Sequence, residues 1–559
     1  MIGVLSKDNE ARAVEEFFQL FKTPWEFWAP NKKYDLVVAS DEEIPKNLNA
    51  RALVIYQSRS IQFDDQMGVV AESRKKSAWV EWQGVKFPLY GDVMAFQSTG
   101  GPLVEVKQTS EIVASVVAGL EWSTARIGFD LFSEVAFLLS EGQPAENARC
   151  PTLDIHISLL RSIMVTLGVP FVEVPPVPPG FDFMACLTHD VDFVGIRDHK
   201  CDHTMWGFLY RSTVGSFLKA LAGRLSWSKF VQNWAAALSL PLVHLGLRED
   251  FWLEFERYTE IEKQFGSTFF FLPFKDVPGM LGQTSAPPRR AAKYDVVGIK
   301  EQVGELMHDG CEVGLHGIDA WQSVQSAQLE QGRIRQVTGQ SDVGIRMHWL
   351  YWKESSPTIL EEAGFTYDST FGYNDAIGFR AGTAQPFCPL NAEHLIELPL
   401  NIQDSAMFYS DRMMLSETQA MDACKGLIET MSSSGGALTV NWHTRSLSPE
   451  RLWGEFYAEL LEQIQKRRVW FGTALDIVGW FRKRRALRFD SVQFEENGLR
   501  VAMSSPDGPP DQPFTLRIHH QRFASGEPEG PSSGLTHMDT QWRGEEAVEY
   551  TYGLGSRPA

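Results

Sequence analysis

The sequence predicts an α/β protein made of an α/β layer domain, a (β/α) barrel or a close relative of one, and a small C-terminal β appendage. Three observations predict it. Short β-rich runs alternate with helical periodicity through the first third of the chain, the pattern of a layered, partly parallel sheet. Beyond a proline-rich stretch, buried strand-like runs again alternate with helical stretches, and several of these runs end in His, Asp or Arg, as barrel strands do where they carry catalytic groups. From residue 487 onward the runs are short and separated by Gly and Pro turns.

In the first domain, residues 1–170, strands are expected at 2–5, 36–38, 53–56, 78–82 and 85–89, and helices at 9–21, 129–140 and 153–167. No glycine-rich phosphate loop opens a helix there, and Gly100-Gly101 is only a turn signal, so a binding or structural role is expected. Pro170, Pro175, Pro176, Pro178 and Pro179 cannot sustain a helix or a central strand, so residues 171–180 are expected to form an extended linker. The barrel follows at 181–485, with strands near 183–187, 267–272, 312–315, 344–348, 396–399 and 437–442. Within it, residues 197–262 form an insertion in which Trp206, Leu209, Tyr210, Phe217, Leu218 and Leu221 recur at helical spacing beside Arg211, Lys219, Arg224 and Lys229. Two readings stand: these helices make a peripheral membrane contact, or they cap the barrel and line a substrate cleft. Residues 486–559 are the β appendage, and its Gly, Pro, Ser and Glu-rich tract at 524–534 is expected to be mobile.

A chain of 559 residues with 43% hydrophobic residues has enough apolar material for two or three cores, which excludes general disorder. The 52 basic against 71 acidic side chains leave a formal charge of -19, which disfavours nucleic acid as a partner. Six cysteines are scattered with no CxxC pair, so reduced and mostly buried thiols are expected rather than a zinc knuckle or a disulfide scaffold. Residues 1–20 carry Asp8, Glu10, Glu15 and Glu16 and lack the basic start and apolar run of a signal peptide, so a cytoplasmic location is expected. The uncharged stretch 230–247 is broken by Gln232, Asn233, Ser239, Pro241 and His244, and no transmembrane helix is expected.

Five polar clusters fall where barrel strands should end. In Thr188-His189-Asp190-Val191-Asp192 the two aspartates share one face if the chain is still extended; such a pair can divide metal binding from base chemistry, or form an acidic loop that binds nothing. In Glu312-Val313-Gly314-Leu315-His316-Gly317 a strand delivers one histidine, the commonest metal ligand or a satisfied core residue. Arg346 and His348 share a strand face by period two, so Arg346 can orient a carboxylate and His348 can complete a site. Asp404 follows the fourth strand and either fixes the tautomer of a catalytic histidine or caps a helix. His443 ends the last buried strand. Trp442 and Trp349 either offer a flat ring to a ligand or pack in the core.

This succession resembles the polysaccharide deacetylase superfamily (carbohydrate esterase family four) over residues 181–485. The motifs that carry it are Thr188 to Asp192 and Gly314-Leu315-His316-Gly317, joined by Arg346-Met347-His348, Tyr367-Asp368-Ser369-Thr370, the run from Gly378 to Thr383, and Trp442-His443. The first domain is similar to the uncharacterised domain that precedes such deacetylases. The resemblance implies a distorted (β/α) barrel and a metal-dependent hydrolase, with zinc or another divalent transition metal, that removes acetyl groups from N-acetylated sugars. The family usually has two adjacent aspartates at the first motif and two histidines four apart at the second. Here Val191 and Ala320 stand at the second position of each. Carried over on that basis, Asp190 is the base, Asp192 supplies the metal carboxylate, and His316 is the matching histidine. His348 replaces the missing one, with Asp319 as second choice. Arg346 holds Asp190, His443 protonates the leaving amine, Asp404 orients His443, and Arg380 holds either Asp190 or an anionic group of the substrate. The expected activity is deacetylation of an N-acetylhexosamine unit in a polysaccharide or in its lipid- or nucleotide-linked precursor. Rival readings are a hydrolase of a non-sugar linear amide, a sugar-binding barrel without catalysis, and a scaffold of polysaccharide synthesis.

Overall fold

In the computed structural model of the chain, every residue of the strand Phe183–Val191 is buried, which requires partners on both edges and cover on both faces. One edge pairs in parallel with Ala437–Asn441; the other pairs with Val469–Phe471 and then with Ser267–Phe271. The parallel ladder continues through Glu312–Gly317, Ile345–Met347 and Tyr367–Asp368. The last member is one segment with two roles. Ile396–Glu397 pairs with Tyr367–Asp368, and Ile402–Gln403 pairs with Ala437–Asn441. Between them, Leu398 N donates to Asp368 O at 2.8 Å and Asn401 N donates to Thr439 O at 3.1 Å. The ring therefore closes through residues 396–403, which change partner around Pro399, a residue with no N–H to give a ladder. This is a distorted (β/α) barrel, with helices such as Lys300–His308, Val324–Thr338, Ser356–Ala363 and Glu417–Ser434 in the crossovers.

The structure describes residues 1–559 except 46, 99, 118–121, 224, 254, 496–497, 507, 521–536, 552–554 and 559; the tract 524–534 lies outside the described residues. The chain divides into two compact units, one of Phe181–Gly378 with Asn391–Val478 and one of Met1–Gly180 with Phe379–Leu390 and Gly479–Ala559. The barrel unit thus ends at Val478 rather than at 485, and it does not include 379–390. No helix among the described residues is long and apolar enough to cross a membrane, and the six cysteines are unpaired.

The other unit is built on a mixed sheet. Its strands Trp25–Phe27, Ile2–Leu5, Tyr34–Ala39, Ala50–Tyr56 and Ser123–Ile127 are parallel, and Ile112–Val117, Gly101–Val106, Ala78–Trp82 and Val85–Leu89 continue it antiparallel. The helix Leu131–Ser140 starts at Asp130, whose carboxylate accepts from Phe132 N and Ser133 N and so satisfies two of the free N–H groups of the first turn. The expected linker is in part a strand: Phe171–Glu173 pairs antiparallel with Phe514–His519. The strand lies between Pro170 and Pro175, and the Glu173 carboxylate accepts from Arg161 Nε at 3.0 Å and pairs with His519 Nε2 at 2.8 Å. The segment Phe379–Leu390 joins this unit through its backbone: Leu153 N donates to Gly382 O at 2.8 Å, and Gln143 Nε2 donates to Phe379 O at 2.7 Å.

His156, on the helix Thr152–Thr166, is fully buried with neither ring nitrogen hydrogen-bonded and lies against Phe87 and Phe129. Burial pushes its pKa down to about 3. Below about pH 6.5 the unfolded chain takes up a proton that the folded chain refuses, so this site loses stability as pH falls from 6.5 towards 3. His156→Met should reduce the acid sensitivity of unfolding by on the order of 2 kcal/mol near pH 4.5 and change little at pH 8; urea titrations at the two pH values measure it.

Candidate active site

Period two along Phe183–Val191 sends alternate side chains in opposite directions. His189 goes into packing: its Nδ1 pairs with Trp442 O at 2.8 Å, its Nε2 with Glu262 Oε2 at 3.1 Å, and its ring lies against Tyr258 and Phe269. Asp190 goes the other way and is clamped on both oxygens. Oδ1 accepts from Arg346 Nη1 at 3.0 Å, and Oδ2 accepts from Asn441 Nδ2 at 2.7 Å. Burial alone would raise the Asp190 pKa, but the charges of His316, Arg346 and His443 outweigh it and hold the carboxyl below its ordinary value. Arg346 is itself fully buried and held in a cradle. Its Nε donates to Ser369 O at 3.0 Å, Nη2 to Ser369 Oγ at 2.9 Å and Nη1 to Thr188 Oγ1 at 2.7 Å. The motif Tyr367 to Thr370 thus serves this arginine and the strand after it, since Met347 N donates to Thr370 Oγ1 at 2.9 Å.

Asp192, two residues on, meets two histidines. Its Oδ1 lies 3.5 Å from His316 Nε2 and 3.3 Å from His348 Nε2, is buried, and has no hydrogen-bond partner. The three ligand atoms lie within 4.8 Å of one another. Parallel register brings the two histidines together: His316 sits opposite Arg346, and His348 follows two residues later in a short turn where Trp349 and Leu350 take positive φ. His316 Nδ1 pairs with Arg346 O at 2.9 Å, which leaves Nε2 free to offer a lone pair. Burial pushes His348 down to about 3 despite the Asp192 carboxylate, so it stays neutral, as a ligand must.

This donor set fits a divalent metal. An unpartnered buried carboxylate oxygen facing two imidazole nitrogens is costly without a cation. Separations of 3.3 and 3.5 Å match the edge of a tetrahedron with bonds of about 2.0–2.1 Å, roughly 3.3–3.4 Å, the His and carboxylate geometry of zinc. Asp319, the alternative ligand, is engaged elsewhere: its Oδ1 accepts from Met280 N at 2.8 Å. Ala320 is fully buried and offers no donor.

His443 faces the cluster from the other side, with Nε2 at 3.9 Å from Asp192 Oδ2. Its Nδ1 is held by Asp404 Oδ1 at 2.6 Å, and its backbone N donates to Asp404 Oδ2 at 2.9 Å. Ser446 Oγ donates to the same carboxylate. Burial opposes protonation of His443, but Asp404, Asp192 and Asp190 together raise its pKa to about 10. Asp404 is also the first residue of the short helix Asp404–Phe408, and its carboxylate points at His443.

Arg380 belongs to the segment Phe379–Leu390 of the other unit, where its carbonyl accepts from Gln143 N at 2.8 Å, and Thr383 Oγ1 of the same motif donates to Asp154 at 2.8 Å. Arg346 is on Asp190 Oδ1 at 3.0 Å. Trp442 is buried and stacked on Phe456 at 5.8 Å and Tyr457 at 5.0 Å, so it packs in the core, whereas Trp349 is only half-buried, with the Arg289 and Arg290 guanidiniums each 5.8 Å from its ring. Sequence reasoning passed over Asn441 as a partner of Asp190; its signal is the register that sets Asn441 opposite Thr188. It also passed over Glu330, whose carboxylate accepts from Ile318 N at 2.8 Å and Asp319 N at 2.7 Å and so fixes the turn after His316.

No family model matches the sequence, and no curated protein matches it. Among solved structures the chain is similar to a probable polysaccharide deacetylase from Pseudomonas aeruginosa PAO1, at 15% identity over 55% of this chain and 94% of that one, with a TM-score of 0.34. It is also similar to PuuE allantoinase, at 13% identity over 55% and 92% with a TM-score of 0.33. A variant of peptidoglycan deacetylase PdaC from Bacillus subtilis matches at 11% identity over 55% and 95%, with a TM-score of 0.25.

Proposed function

We propose that this chain is a metal-dependent deacetylase that hydrolyses the acetamide of N-acetylhexosamine units in a polysaccharide or its lipid- or nucleotide-linked precursor. The observation that carries the reading is the division of labour around one spot. Asp192, His316 and His348 converge as a ligand set, with an ionised, clamped Asp190 on one side and a protonated, clamped His443 on another. When bound there, zinc or another divalent transition metal would polarise the acetamide carbonyl and make water more acidic.

The residues then have separate tasks. Asp190 takes the proton of the attacking water at Oδ2, the oxygen 3.9 Å from His316 Nε2, while Arg346 on Oδ1 keeps the carboxylate ionised and its plane fixed. His443 gives the Nε2 proton to the departing amine, and Asp404 on Nδ1 keeps that proton directed at the cluster. Acid and base thus have pKa values pushed apart by their surroundings, Asp190 down and His443 up.

The test is acetate release from chitooligosaccharides by zinc-reconstituted protein, run beside simple linear amides. Acetate from the oligosaccharides alone is the expected result. Turnover of the linear amides alone would replace this reading by the amide-hydrolase one, and no turnover of either by the metal-loaded protein would refute a hydrolase altogether.

A further inference from the structure

The insertion between Asp192 and the second barrel strand carries its apolar residues on the outside. Of the twenty-two large hydrophobic side chains exposed among the described residues, fourteen lie between Trp206 and Leu253. They are not scattered. On the helix Trp227–His244 the exposed residues are Trp227, Val231, Trp234, Leu238 and Leu242, one stripe at helical spacing that runs on into Leu245. On the preceding helical run Trp206, Tyr210, Val214, Phe217 and Leu221 form a second stripe. Leu238 is 74% exposed and Trp227 63%. The inner face holds the core contacts, Met205 and Phe208 with Ala236, Leu240, Val243 and Trp252, so the helices are already packed without the outer stripes. Exposed apolar area of this extent marks an interaction surface.

Charge selects the occupant. From His203 to Arg248 the sequence has no Asp or Glu but contains Arg211, Lys219, Arg224 and Arg248, besides Lys229, which is already paired with Glu455 at 2.8 Å, within a chain whose formal charge is -19. Two copies meeting face to face would bring like charges together, whereas an anionic lipid surface complements both the cations and the Trp, Tyr and Leu stripes. Among the described residues no helix is long and apolar enough to cross a membrane, so the contact is argued as an interfacial one.

We propose that this helical hairpin seats the protein on the surface of an anionic phospholipid bilayer. The hairpin is rooted at the rim of the active site. Thr444 Oγ1 donates to Phe193 O at 3.3 Å, the Arg445 guanidinium lies 4.3 Å from the Trp252 ring, and Tyr258 Oη donates to His443 O at 2.9 Å. Docking stands without the deacetylase reading; the consequence that the substrate is a lipid-linked saccharide rests on it.

The experiment is flotation of the full chain with mixed phosphatidylcholine and phosphatidylglycerol vesicles, beside phosphatidylcholine alone. Wild type should float with the anionic vesicles, and less so as salt rises. The double variant Trp234→Gln, Leu238→Gln should bind about a hundred-fold more weakly and Lys219→Glu, which changes the charge by two, about thirty-fold more weakly. Circular dichroism and sedimentation should show both folded. Wild type that stays off anionic vesicles, or variants that bind as well as wild type, would overturn the proposal. So would a dimer that the double variant abolishes while no vesicle binding is seen, which assigns the face to a second copy. Acetate release from soluble oligosaccharide is read separately and should be unchanged in the variants, so failure of docking and failure of the deacetylase reading are distinguishable.

Discussion

Asp190→Asn should lower kcat for acetate release by about 10²- to 10⁴-fold, the range that a positioned general base contributes, while the zinc content stays at the wild-type level. The side chain keeps its shape, and an amide oxygen can still accept from Arg346 Nη1, now at 3.0 Å from Oδ1. What disappears is the basic lone pair at Oδ2. Asn441 Nδ2, which donates to that oxygen, would face an amide nitrogen and must turn over or lose the bond. Because Asp192, His316 and His348 are untouched, elemental analysis separates loss of the base from loss of the metal. Parallel loss of metal and activity would mean that Asp190 is a ligand rather than a base.

Asp404→Asn should change the pH profile as well as the rate. The carboxylate 2.6 Å from His443 Nδ1 is the largest of the influences that raise this histidine to about 10 against its burial. A proton donor is active below its pKa and fails as pH rises through it, so the alkaline limb of kcat belongs to His443. Removing the Asp404 charge lowers that pKa, so the alkaline limb should move to lower pH and kcat should fall by about a hundred-fold or more. A variant with reduced kcat but an unmoved alkaline limb would place Asp404 among helix-starting residues only.

Much of the site was legible in the sequence because barrel chemistry collects at strand ends, and Asp190, Asp192, His316, Arg346, His348 and His443 each stand where a buried apolar run stops. Period two was enough to set Asp190 and Asp192 apart from His189. What was not legible depends on partners far along the chain. The bond from Asn441 to Asp190 follows from the register of strands about 250 residues apart, and the pairing of Phe171–Glu173 with Phe514–His519 has no local signature at all. The proline content of 170–180 was correct as a reason against helix but said nothing of the three residues before Val174. The motif from Gly378 to Thr383 lies inside the barrel's sequence range, yet the Gly382 carbonyl and Thr383 hydroxyl are spent on Leu153 and Asp154. The insertion's outward apolar stripes were visible as periodicity, but periodicity does not say which face is buried.

The central claim, that His348 stands in for the histidine absent at Ala320, is tested most directly by the zinc content of the purified protein, wild type beside His316→Ala and His348→Ala. The account predicts close to one zinc per chain in wild type and loss in both variants, since each removes one of two nitrogen ligands. Zinc retained by His348→Ala, or no zinc in wild type after reconstitution, would contradict it.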